Sequence, residues 1–231
     1  MENLPAIAER IHQVLEMRTQ ARDRALADAR QITRHSAQAI RAIHREEHET
    51  ASIQLDQARL LVREMQANLS ELPDLYYAGY TQDAIKEFVE ASITCALIEN
   101  RPLPSPEDLK VEFNTYLNGL AEAVGELRRR CLDILRQGYS GEAERLLGCM
   151  DDIYAILVTM DYPDAVTNGL RRQTDLIRGI VERTRGDLTI SLREQHLEHV
   201  MLALQAHLDA AQANAPHEST VNKPYEDDPR V

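Results

Sequence analysis

Residues 5 to 46 constrain the fold more than any other stretch. Pro5 is the last helix breaker in the segment, and no Gly interrupts it. Apolar residues recur at helical spacing: Ile7, Ile11, Val14 and Leu15, then Ala25, Ala29, Ile32, Ala39, Ile40 and Ile43. Pro5 suits the first turn, where its missing N–H has no partner to lose. A helix of this length spans ~60 Å at 1.5 Å per residue. It is too polar for a membrane span and too irregular for a strict heptad. A chain that begins this way builds helix on helix, and the rest agrees. Aromatic residues make up only 4 % and Trp is absent, so the core rests on Leu, Ile, Ala and Val. No run alternates apolar and polar residues between turn signals, as a half-buried strand would.

Further helices are predicted over 47–69, 81–100, 112–136, 140–159 and 164–208. Leu72-Pro73-Asp74 and the proline-rich Arg101–Pro106 break the chain between them. Thr81, Ser105 and Ser140 are expected N-caps. One domain is expected over residues 1–211, with a mobile, proline-containing tail over 212–231. Cys95, Cys131 and Cys149 form no CxxC pair and sit in apolar helical contexts, as core thiols of a reducing compartment do. No signal peptide and no apolar run of ~18 residues is visible. The expectation is a cytoplasmic protein without a membrane segment.

The net charge of −12 excludes a uniformly basic nucleic-acid binder, but not a local basic face. Of the 26 basic residues only Lys86, Lys110 and Lys223 are lysines. Arg30, Arg34, Arg41 and Arg45 share one side of the first helix, and Arg171, Arg172 and Arg178 give the last helix a second concentration. These are phosphate contacts or solvated faces. His35, His44 and His48 show no metal-ligand spacing and read as surface residues.

Two stretches carry the candidate chemistry. In Asp83-Ala84-Ile85-Lys86-Glu87-Phe88-Val89-Glu90-Ala91, Glu87 and Glu90 are helical neighbours. In Tyr116-Leu117-Asn118-Gly119-Leu120-Ala121-Glu122-Ala123-Val124-Gly125-Glu126-Leu127-Arg128, so are Glu122 and Glu126. Like charges so placed cost a few tenths of a kcal/mol unless solvent or a cation screens them. Four carboxylates are what a Mg²⁺ or Mn²⁺ site uses. The core stripe of the second helix is Phe113, Leu117, Leu120, Val124, Leu127 and Cys131, which sets Glu122 and Glu126 opposite it, in water or facing a cavity. Gly119 and Gly125 weaken that helix by ~1 kcal/mol each, which points to close packing against it. No phosphate-cradling Gly-rich loop, GxSxG elbow or HExxH motif competes.

Together these two motifs resemble the translin family, within it the TRAX (translin-associated factor X) branch. Tyr77-Ala78-Gly79-Tyr80 and Asp187-Leu188-Thr189-Ile190-Ser191 add to the likeness, which covers residues 5 to 195. The resemblance implies an all-α, antiparallel bundle of about seven helices. It also implies closed homo-oligomers, commonly octamers, that enclose RNA or single-stranded DNA. In TRAX-type subunits the acidic residues form a metal-dependent endoribonuclease site. By motif, Glu87, Glu90, Glu122 and Glu126 would form it with Mg²⁺ or Mn²⁺, acting on single-stranded or flexible RNA. Glu122 stands where the TRAX motif has an aspartate, one methylene shorter. The alternative is a translin-like oligomer that binds RNA or single-stranded DNA without cleaving it.

Overall fold

The computed structural model describes residues 3–213. Among them there is no strand, and the chain is built of α1 (Leu4–His44), α2 (His48–Asn68), α3 (Pro73–Tyr76), α4 (Gly79–Ile98), α5 (Pro106–Leu109), α6 (Phe113–Leu135), α7 (Gly141–Val158), α8 (Asp164–Thr167) and α9 (Leu170–Ala213). Six of these are long, and α3, α5 and α8 are single turns. The described residues fall into two units that divide between Ser191 and Leu192. The tail expected over 212–231 lies, from residue 214 on, outside the described residues. Among the described residues no helix is long and apolar enough to cross a membrane.

In the first unit, packing runs from α2 through α1, α4 and α6 to α7. Helix α4 is therefore the central element, and its sequence shows it. Ala84, Ile85, Phe88, Val89, Ala91, Ile93 and Cys95 are buried, a wider apolar arc than a surface helix presents. The α1–α2 turn is three residues long, which forces the two helices antiparallel. Glu46 takes a left-handed conformation there, with φ 63°.

Caps behave unevenly. Ser105 and Asp108 form a complete capping box on α5, and Ser140 accepts the Glu142 N–H at the start of α7. Thr81 is not a cap. Helix α4 begins two residues earlier at Gly79, and the buried Thr81 hydroxyl donates to the Leu75 carbonyl. Phe113, expected in the core, is the first residue of α6 and is 68 % exposed. Ile11, Val14 and Leu15 are exposed as well, because the first half of α1 runs beyond the helices that cover its second half. In the second unit Leu197, Met201, Leu204 and Leu208 are exposed.

Candidate metal centre

Gly119 sets the site. A Cβ built there would lie 2.6 Å from Val89 Cγ1 and 3.0 Å from the Lys86 carbonyl oxygen, so only Gly lets α6 come this close to α4. The contact brings Glu87 and Glu90 of α4 against Glu122 of α6. Each offers a carboxylate oxygen, and these oxygens lie within 4.8 Å of one another. The face of α6 opposite its apolar stripe is thus half-buried: Glu122 turns to α4 and borders a small cavity there, and Glu126 turns to α1. Gly125 has open space around it and plays no such part.

The electrostatics of the three carboxylates are unbalanced. All are half-buried. Burial pushes the Glu90 carboxyl up to about 8, and the charges of Glu87, Glu122 and Glu126 push in the same direction. Glu87 is also raised, first by burial and then by Glu122 and Asp83, against the opposing charge of Lys86. The one ammonium in the group is Lys86, whose Nζ lies 2.7 Å from Glu122 Oε1, both side chains being 22 % exposed. Gln173 of α9 donates to the same oxygen at 3.4 Å. Neither Lys86 nor Gln173 stands out in the sequence. Lys86 carries one signal, its place in the turn that holds Glu87 and Glu90, and Gln173 carries none.

Glu126 stands outside the cluster. Its Oε2 is 2.6 Å from His44 Nε2 and 3.6 Å from Arg129 Nη1. The His44 bond holds the Glu126 carboxyl below its ordinary range, with the charges of His44 and Arg129 adding to it. His44 is not the surface residue its spacing suggested: its side chain is only 4 % exposed. Because a carboxylate only accepts, the bond requires a proton on Nε2 and leaves Nδ1, which is buried, without a partner among the described residues. His35 pairs with Gln54, and His48 with Glu99.

The expected phosphate contacts are all exposed: Arg30, Arg34 and Arg41 on α1, Arg45 in the turn that follows it, and Arg171, Arg172 and Arg178 on α9. None forms an ion pair among the described residues. Arg45 lines a cavity of about 760 Å³ with His44, Arg130 and Arg136. Burial pushes the Cys95 and Cys131 thiols up to about 12, so neither is a thiolate nucleophile at neutral pH.

A carboxylate-lined seam between two central helices defines an all-α bundle with an acidic cluster at its middle. The chain belongs to the translin family, whose model matches residues 20–184. It is 33 % identical over 193 residues to the uncharacterized protein MJ0175 of Methanocaldococcus jannaschii, covering 79 % of this chain and 83 % of that one. Among solved structures it is similar to AfC3PO in its complex with duplex RNA. That likeness has a TM-score of 0.76 and 34 % identity, and it covers 81 % of this chain and 97 % of the other. Apo-NeC3PO, at 22 % identity and a TM-score of 0.71 over 83 % of this chain and 98 % of its own, shares the fold.

Proposed function

We propose that this chain is a TRAX-like, metal-dependent endoribonuclease that works as a cytoplasmic homo-oligomer, an octamer by the family resemblance. The observation that carries this reading is the convergence of Glu87, Glu90 and Glu122. Three carboxylates faced by a single ammonium are poorly neutralised by the protein. Mg²⁺ or Mn²⁺ fits them in charge and in donor type. A divalent ion held there supplies Lewis acidity toward a phosphodiester and lowers the pKa of a water.

The remaining steps belong to the chain. Glu87, Glu90 and Glu122 hold the ion. Glu126, whose Oε2 is engaged by His44 and Arg129, would hold a water of the centre through its Oε1, which has no protein hydrogen bond among the described residues. The exposed arginines of α1, its C-cap and α9 hold phosphates by charge, giving salt-sensitive binding without sequence readout. The exposed Ile11, Val14 and Leu15 of α1 suit burial between subunits. AfC3PO has been solved with duplex RNA, which supports RNA as the ligand class and brings duplexes into the test beside single strands.

A second reading is RNA binding without cleavage. It is favoured by the longer Glu122 and its bond to Lys86, which together weaken the ligand set. The deciding experiment incubates labelled single-stranded and duplex RNA with Mg²⁺, Mn²⁺ or EDTA, using wild type and the Glu87→Gln/Glu90→Gln double variant. Cleavage by wild type that is lost with EDTA and in the variant is the expected result. RNA that is bound but left intact under every condition would establish the second reading instead.

A further inference from the structure

Lys86 is not part of the carboxylate set, yet it is bound into it. Its Nζ contacts Glu122 Oε1 at 2.7 Å, and on the same helix Glu87 follows it directly and Glu90 lies one turn further on. Lys86 also lines a polar cavity of about 120 Å³ whose other walls include Gln82, Asp83, Asn118, Glu122 and Gln173. The Lys86 side chain thus touches a Glu122 oxygen and at the same time borders this cavity.

Formal charge shows what such a placement does. The three carboxylates amount to −3 when ionised, and Lys86 reduces this to −2. A divalent cation must then share Glu122 with an ammonium that already occupies Oε1. A cation held by the same carboxylates would weaken the bond from Lys86 to Glu122 by neutralising its acceptor. A phosphodiester brings one further negative charge to a cavity whose walls already include Asp83 and Glu122, and Lys86 is the one cationic side chain lining it among the described residues. We propose that Lys86 is the resident counter-charge of this centre: it competes with the metal for Glu122, and on release it holds a phosphate oxygen of the nucleic acid in the adjoining cavity. This inference rests on the metal-centre reading above and adds to it a residue with two opposed effects. A purely structural lysine would have neither.

The test compares wild type, Lys86→Met and Lys86→Arg, all checked for helical content by circular dichroism. Mn²⁺ binding is measured by electron paramagnetic resonance without RNA, and RNA affinity is measured in EDTA and in Ca²⁺. Lys86→Met is expected to bind Mn²⁺ at least tenfold more tightly and RNA several-fold more weakly. Lys86→Arg is expected to retain RNA affinity. If wild type binds Mn²⁺ and Lys86→Met binds it equally or less well while remaining folded, the inference is overturned and the metal centre stands. If only Lys86→Met binds Mn²⁺, competition by Lys86 is upheld and the wild-type metal function falls. If neither binds, both fall.

Discussion

Replacing Glu90 by Gln should make the metal-free protein more stable at alkaline pH, although it removes a side chain from the functional centre. Glu90 is raised from 4.5 to about 8, chiefly by burial and then by its acidic neighbours. Between those values the folded state keeps a proton that the unfolded chain has released. Stability therefore falls as pH rises through that window and levels off above it. At about 1.36 kcal/mol per pKa unit, the ceiling on what ionised Glu90 costs the fold is ~5 kcal/mol. Gln keeps the shape and never ionises, so Glu90→Gln should recover on the order of 2–4 kcal/mol at pH 9 in EDTA. At roughly 2–4 °C per kcal/mol for a chain of this size, that is a rise in Tm of about 4–16 °C. Differential scanning calorimetry at pH 5 and pH 9 reads it: the gain should shrink to below ~1 kcal/mol at pH 5. Saturating Mn²⁺ at pH 9 should reverse the order, because only wild type then neutralises the three carboxylates. A variant no more stable than wild type at pH 9 in EDTA, or equally favoured at both pH values, would refute the reasoning.

Other perturbations test other parts. Gly119→Ala must push Val89 away and part α4 from α6. A loss of about 1–3 kcal/mol is expected despite the better helix former, and Gly119→Ala/Val89→Ala should regain part of it, as chemical denaturation would show. His44→Ala removes a charge-assisted bond to Glu126 and should cost ~1.5–3 kcal/mol at pH 7. Glu126 is held below 4.5, so its contribution is present above that value and lost as pH falls through the lowered one. The wild-type advantage over His44→Ala should accordingly fade in urea titrations carried progressively below pH 4.5. Arg34→Ala and Arg41→Ala should each weaken RNA binding by a similar factor for all sequences and lower the salt slope by about one, measured by fluorescence anisotropy across a salt series.

Much of this fold is legible because its signals are local. The absence of Gly and of internal Pro marks α1, and Ser105 and Ser140 mark the starts of α5 and α7 by their own side chains. The Glu87 and Glu90 pairing is legible for the same reason, one helical turn being a short-range property. Gly119 announces a close approach, though not to which helix. What could not be read depends on partners distant in sequence. His44 meets Glu126 across 82 positions, so its burial leaves no trace in the local pattern beyond its place one residue after the buried Ile43. Lys86 meets Glu122 across 36 positions. Phe113 and Leu15 mislead in the opposite direction, since an apolar residue at helical spacing does not record whether a neighbour is there to cover it. The division of the four glutamates follows from the same limit. Spacing groups Glu122 with Glu126, whereas packing gives Glu122 to α4 and Glu126 to His44 of α1.

The most direct measurement is anomalous diffraction from crystals of the full chain soaked in Mn²⁺. The account predicts a strong anomalous peak bounded by carboxylate oxygens of Glu87, Glu90 and Glu122, absent from crystals of the Glu87→Gln/Glu90→Gln variant. No peak at that position in wild type, or a peak at Glu126 and His44 instead, would contradict it.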